Sequence, residues 1–241
     1  MLVDFPKNLI YLKTWKTGGS SVEAMLQEAL WGSEVQHSQG WKIRWHGFAT
    51  PRATGLPGDH LKSRLSARHK IIVSLSPNYP MSLKSNIKNL RNHSSPIEIR
   101  NSIGDKIFSS AQKIVCIRNP FSLMVSGHFF RAARHGLDKN DVDNEKAFTA
   151  FVQKSLDTNK WQQHLPDLMD SSWRIIRQEY LENDFRRLAS DLGLEFKRPL
   201  HFKSGLRPPE ENSYEYLYSK STKDMVATRY RKWIDAFDYK F

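Results

Sequence analysis

A short segment near the start of the chain has the residue types of an anion-binding loop: Lys16, Thr17, Gly18, Gly19, Ser20 and Ser21. It follows the apolar run 9–12 and precedes a helix-like stretch. Glycines let several backbone N–H groups point at one anion, a helix N-terminus adds partial positive charge, and Lys16 adds a full charge. A tight turn with a serine N-cap would use the same residues. The lysine precedes the glycines, whereas a Walker A loop places it after them.

A second segment delivers a guanidinium and a hydroxyl to the end of another strand. The apolar run 114–117 leads into Arg118, Pro120 then opens a helix, and Ser126 follows on its first turns. An arginine fork with a hydroxyl can hold a phosphate, although a surface arginine and a helix-packing serine are each ordinary. Together with the Lys16 segment, the pattern predicts two phosphate subsites at the carboxyl edge of one sheet.

The elements that must position these residues alternate along the chain. Apolar, β-branched runs predict strands at 9–12, 71–75, 113–117 and 173–176. Helical periodicity predicts helices at 21–30, 96–108, 121–135, 145–156, 183–192 and 222–237. This order predicts an α/β fold, with residues 1–241 forming a single P-loop-like domain whose central, mostly parallel sheet carries helices on both faces.

Residues 31–90 interrupt this alternation over much of their length. The first part of the segment, up to about residue 70, is irregular and holds several Gly, Pro, His and Trp residues. Two interpretations stay open. The segment is either an excursion that faces the acceptor substrate or a disordered loop.

Composition limits the partners and the compartment. The 241 residues carry a formal net charge of +12, which favours an anionic partner. The one cysteine, Cys116, suits a reducing compartment. Charges at Asp4, Lys7 and Lys13 break any signal-peptide core, and no apolar stretch approaches the roughly 18 residues of a membrane span. We therefore expect a cytoplasmic protein without a membrane span. No histidine or cysteine pair has metal-ligand spacing, so no metal is expected.

Five segments of the chain resemble motifs of the sulfotransferases that use 3′-phosphoadenosine-5′-phosphosulfate (PAPS), and they occur in the same order as in that family. Two of the five are the predicted phosphate-binding segments. The similarity is to the carbohydrate-type branch called sulfotransferase family 2. The three further segments lie at residues 93–108, 176–185 and 225–239. The chain departs from the family pattern at Trp15, where proline is usual, at Ser122-Leu123, where Asp-Arg is common, and at Asp238, where glycine is usual. None of these departures removes a phosphate ligand.

The resemblance implies which residues bind the donor PAPS and its product, 3′-phosphoadenosine 5′-phosphate. The segment Lys16–Ser21 would surround the 5′-phosphosulfate, and Arg118 with Ser126 would hold the 3′-phosphate. A basic loop near residue 205 occupies the position of the family loop that closes over the nucleotide, with these candidate contacts: Lys203, Ser204 and Arg207. A solvated basic loop is the alternative for this last segment.

The implied reaction is transfer of the sulfuryl group to an acceptor hydroxyl, of a carbohydrate or a small metabolite, without a metal. Lys16 and the loop amides are placed to stabilise the charge that builds on the leaving 5′-phosphate. A base must take the acceptor proton, and histidine suits neutral pH. His93 is the first candidate because the similar enzymes place a functional histidine in this segment. His46 is the second candidate, and Glu23 in the first helix is the third.

Two other classes of function are compatible with a basic α/β chain of this composition. A P-loop kinase or another nucleotide-dependent transferase should show a Walker-type lysine and an acidic magnesium ligand at a strand end, and neither is evident. A nucleic-acid-binding module would explain the charge, but no recognition-helix, RRM or zinc pattern is found. We therefore expect no nucleic-acid partner.

Overall fold

The computed structural model describes residues 1–5, 7–31, 72–74, 93–158, 171–200 and 214–241. Its strands are β1 Leu2–Asp4, β2 Leu9–Leu12, β3 Ile72–Ser74, β4 Gln112–Ile117 and β5 Trp173–Arg177. Its α-helices in these ranges are α1 Gly19–Trp31, α2 Pro96–Ile103, α3 Asp105–Ser110, α4 Pro120–Arg134, α5 Lys139–Val142, α6 Glu145–Asp157, α7 Leu181–Asp191, α8 Lys220–Arg229 and α9 Arg231–Phe237. The predicted α/β class is confirmed.

The strands form one sheet with the order β3-β1-β2-β4-β5. The sheet is mixed, because β1 pairs antiparallel with β2 while the other neighbours pair in parallel. Strands β2, β4 and β5 run in the same direction, so their carboxyl ends lie at one edge. Strand β1 was not predicted, because three buried residues are too few to show a periodicity.

Two predicted helices are each divided into two. The helix predicted at 96–108 stops at Gly104, whose φ of +88° lies outside the helical region. The helix predicted at 222–237 is interrupted at Tyr230, where the backbone leaves helical dihedral angles (φ −107°, ψ 17°). The buried Tyr230 ring stacks on the Trp233 ring, with 5.9 Å between the ring centroids. Sequence periodicity continues across both breaks and therefore does not show them.

The chain divides into two compact units, and the prediction of a single domain stays a prediction. The first unit comprises Met1–Ile117 and His164–Phe202, and it contains the sheet. Its core brings together apolar side chains from β2, α1, β4, β5 and α7, including Tyr11, Leu26, Ile114, Ile176 and Phe185.

A bidentate ion pair fastens β5 to α7 within the first unit. Asp184 accepts hydrogen bonds from the backbone N–H of Arg177 (2.9 Å) and from two nitrogens of its guanidinium (2.8 and 2.9 Å). Burial alone would raise the pKa of the Asp184 carboxyl, but the bonds from Arg177 outweigh it and hold that pKa below its ordinary value. The carboxyl end of β5 is thereby fixed in place.

The second unit comprises Arg118–Gln163 and Lys203–Phe241. Helix α4 begins after Asn119, whose side chain accepts from the Phe121 N–H at 3.0 Å, and most of its residues are buried. Within α4, His128 is enclosed by three phenylalanine rings at centroid distances of 5.2–5.4 Å: Phe129, Phe148 and Phe151. Its Nε2 donates to the Val142 carbonyl oxygen at 2.8 Å.

The buried His128 predicts a dependence of stability on pH. Burial lowers the pKa of His128 below 6.5, and the Val142 carbonyl and the Asp143 charge offset this only in part. The unfolded chain then takes up this proton at a higher pH than the folded chain, so stability is lost as the pH falls below about 6.5. We expect His128→Gln to flatten the fall in unfolding free energy between about pH 7.5 and pH 5 in urea titrations. The same substitution at the exposed His135 should leave the slope unchanged, and an equal flattening there would contradict the prediction.

Candidate functional site

The loop between β2 and α1 has an unusual backbone at the residue that the sequence singled out. Lys16 has a φ of 59°, in the left-handed region that non-glycine residues rarely adopt, and Gly18 has a φ of 80°. Thr17, between them, does not share the positive φ. Left-handed residues that alternate with residues of negative φ occur in anion-binding nests, where successive backbone N–H groups face one side.

Hydroxyl and thiol groups tie this loop to the neighbouring strand β4. The Thr14 hydroxyl donates to the Cys116 carbonyl oxygen and lies 2.7 Å from the Thr17 hydroxyl. The Cys116 thiol in turn donates to the Thr17 carbonyl oxygen at 2.7 Å. All three side chains are buried. These contacts with Cys116 on β4 therefore hold the loop in its strained conformation.

Helix α1 begins directly at the end of the loop. The Gly18 carbonyl oxygen accepts from the N–H groups of Ser21 (2.8 Å) and Val22 (3.3 Å). The N–H groups of Gly19 and Ser20 precede this first intrahelical bond, at the positions where a helix N-terminus presents donors to an anion. The first turn of α1 contains no acidic residue, so no carboxylate opposes an anion there.

The two glycines are required for different reasons. Gly18 needs its positive φ, and an added Cβ would lie 3.1 Å from Gln178 Cγ. An added Cβ on Gly19 would lie 2.8 Å from Lys13 Cγ and 3.1 Å from the Tyr11 hydroxyl. From the sequence, both glycines were expected to let backbone N–H groups converge on an anion. The structure shows that Gly19 also makes room for the side chain of Lys13.

That side chain belongs to a buried ion cluster that was not predicted from the sequence. Lys13 Nζ lies 2.6 Å from Glu23 Oε2, and the Met1 amino group lies 2.6 Å from Glu23 Oε1. Burial alone would raise the pKa of the Glu23 carboxyl, but its contacts with the Lys13 ammonium and the Met1 amino group outweigh it and keep that pKa below its ordinary value. The sequence did hold a signal for this cluster. Lys13 directly follows the apolar strand β2, and Glu23 lies within the largely apolar start of α1. A charge in such a position needs a partner when it is buried.

The structure brings His93, the first candidate base, to this loop. Its Nδ1 lies 2.8 Å from the Lys13 carbonyl oxygen. Because a carbonyl oxygen can only accept, Nδ1 carries the hydrogen and Nε2 is the basic nitrogen of the neutral ring. The capping box of α2 fixes the chain two residues later, since Ser95 and Glu98 exchange backbone-to-side-chain hydrogen bonds of 2.7 and 3.2 Å.

The predicted 3′-phosphate residues belong to the second unit. Arg118 is the residue after β4, and its Nε donates to the Ser122 hydroxyl at 3.0 Å. Ser126 is buried within α4. Four candidates lie outside the described residues: His46, Lys203, Ser204 and Arg207. The segment 31–90 is described only at Trp31 and at β3.

In the described ranges, no three His, Cys, Asp or Glu side chains come together as a metal site. Across the same ranges, no helix combines the length and the apolar character that a membrane crossing needs. Comparisons of the chain with family models, with curated proteins and with solved structures give no match. The function proposed below therefore rests on the geometry of the site and on the resemblance of its motifs.

Proposed function

We propose that this chain is a PAPS-dependent sulfotransferase that transfers a sulfuryl group to an acceptor hydroxyl of a carbohydrate or a small metabolite. The observation that carries the proposal is the left-handed Lys16, held between the Thr14–Thr17 hydroxyl pair and the start of α1. A strained non-glycine residue persists where the surroundings hold it, and such residues cluster at functional sites. Here the strain falls on the one loop residue with a full positive charge.

The loop residues supply what the leaving group requires. During transfer, the acceptor oxygen bonds to sulfur while the bond from sulfur to the 5′-phosphate oxygen breaks, so negative charge develops on that phosphate. Lys16 and the N–H groups of Gly19 and Ser20 would stabilise this charge. Because they are already oriented by the loop and the helix, little reorganisation accompanies the reaction.

The acceptor proton goes to His93 in this proposal. The contact between His93 Nδ1 and Lys13 places the ring beside the loop and makes Nε2 its basic atom. Glu23 is the weaker candidate, because each of its oxygens already accepts a hydrogen bond from a buried nitrogen, the Met1 amino group or Lys13 Nζ. His46 stays the alternative histidine. The resemblance assigns the 3′-phosphate to Arg118 and Ser126, and it assigns the closing loop to Lys203, Ser204 and Arg207.

Nucleotide binding separates this proposal from a kinase. We expect 3′-phosphoadenosine 5′-phosphate to raise the melting temperature, because a ligand that binds only the folded state stabilises it by RT ln(1 + [L]/Kd). Adenosine 5′-phosphate should give a much smaller shift, since it lacks the 3′-phosphate. Arg118→Ala should remove most of the difference between the two nucleotides. Equal shifts in the unmodified protein, or a larger shift with ATP and magnesium, would favour the kinase.

A further inference from the structure

A chain of contacts links Glu23 on helix α1, through Lys13, to His93. Neither Lys13 nor Glu23 takes part in the proposed transfer itself. We propose that the buried Lys13–Glu23 ion pair positions His93, by fixing the Lys13 carbonyl oxygen to which the ring donates. Lys13 and Glu23 are then positioning residues. This inference rests on the proposed function, because it supposes that His93 takes the acceptor proton.

The first link joins the ion pair to α1. Lys13 Nζ and Glu23 Oε2 are 2.6 Å apart, with side-chain exposures of 6% and 0%. A lone buried charge is costly, so the pair constrains both side chains strongly. Gly19 accommodates the Lys13 stem at a distance that a Cβ would not allow. Gly19 therefore leaves the space in which the Lys13 side chain reaches Glu23.

The second link joins Lys13 to the ring of His93. Lys13 is the first residue after β2, beyond the pairing of Leu12 with Val115 that ends the β2–β4 ladder. Beyond the ladder, the Lys13 carbonyl is held from both of its neighbours: Thr14 is tied to Cys116 on β4, and the ion pair holds Lys13 against α1. The carbonyl oxygen accepts from His93 Nδ1 at 2.8 Å.

The consequence for the reaction concerns the tautomer. A neutral imidazole in water prefers its hydrogen on Nε2, which would make Nδ1 the basic atom. Donation from Nδ1 to a fixed carbonyl oxygen reverses this preference and keeps Nε2 basic. Loss of the ion pair should release the carbonyl and let the hydrogen move toward Nε2.

Nitrogen-15 NMR of the imidazole ring tests this in the 241-residue chain without any substrate. A ring nitrogen that bears hydrogen resonates far upfield of one that does not. In the unmodified protein at a pH where the ring is neutral, we expect the His93 Nδ1 signal at the upfield position. In Lys13→Met, where Glu23 keeps the Met1 amino group, the two signals should converge. The double variant Lys13→Met/Glu23→Gln removes both charges of the pair together, so it leaves no lone buried charge, and it is used for the same measurement.

The matched control removes another ion pair of α1, between the buried Glu28 and the exposed Arg198. Glu28, on α1, pairs with Arg198 at 3.0 Å, so Arg198→Met/Glu28→Gln destabilises the same unit without involving His93. Its ring signals should match those of the unmodified protein. An upfield Nε2 signal in the unmodified protein would overturn the proposal and requires no variant. Unchanged signals in both Lys13 variants, or equal changes in the control, would also overturn it.

The melting-temperature shift with 3′-phosphoadenosine 5′-phosphate, measured on the same samples, keeps the two proposals distinguishable. A shift without any ring response would overturn the positioning role alone. A ring response without a shift would overturn the donor assignment, and with it the role of the ion pair in transfer.

Discussion

Lys16→Gly is expected to give a protein that is more stable than the unmodified chain and yet almost inactive. Glycine adopts the φ of 59° at this position without strain. The gain is about 1 kcal/mol, the difference between the cost of a left-handed non-glycine residue and the extra chain entropy that glycine loses. Turnover should fall steeply, because the ammonium group acts on charge that develops in the transition state. Melting curves and transfer from labelled PAPS, with an acceptor found by screening, measure the two effects.

Asp238→Gly is the matched control for Lys16→Gly. Asp238 also has a left-handed backbone, with a φ of 49°, and it is exposed at the end of α9. Its replacement should raise stability by a similar amount and leave turnover unchanged. A Lys16→Gly protein with near-normal kcat would show that the loop is structural and that its strain has no catalytic use.

His93→Asn is expected to preserve the loop and to abolish proton transfer. The asparagine Nδ2 can replace the His93 Nδ1 as a donor to the Lys13 carbonyl oxygen, but an amide is not a base at neutral pH. We expect kcat to fall by roughly 10²–10⁴-fold, as is typical for a lost general base. Binding of 3′-phosphoadenosine 5′-phosphate should persist, as measured by its melting-temperature shift.

His93→Ala and His135→Gln complete the comparison for the proposed base. If His93 only holds the loop, the asparagine variant should retain kcat and the alanine variant should lose it. If His93 is the base, both variants should lose kcat equally. His135 is exposed, and its replacement should have no effect. Retention of kcat in His93→Asn would move the search for the base to His46 and then to Glu23.

The sequence indicated the strand, loop and helix around Lys16 because each has a local signal: an apolar run, paired glycines and helical periodicity. It did not indicate that β1 runs antiparallel beside β2, since the pairing depends on contacts among three buried residues. The left-handed Lys16 also has no local signal, because lysine is not a residue type that favours this conformation. It depends on tertiary contacts of Thr14 and Thr17 with Cys116, which lies about one hundred residues away.

The ion cluster shows the same limit at the candidate site. From the sequence, Lys13 was only a charge near the N-terminus and Glu23 only the third candidate base. In the structure they are partners in one buried ion pair. The sequence likewise did not show why position 19 requires a glycine, because the requirement depends on the path of the Lys13 side chain. Sequence spacing predicts which elements hold the residues, whereas the partner of a buried charge depends on three-dimensional packing.

The loop from Lys16 to Ser21 is expected to bind the 5′-phosphate end of the donor. A titration of the ¹⁵N-labelled chain with 3′-phosphoadenosine 5′-phosphate, followed through backbone amide signals, tests this directly. The amides of Gly18, Gly19 and Ser20 should show the largest changes. ATP with magnesium should change them much less. Binding that leaves these amides unchanged, or no binding at all, would contradict the account.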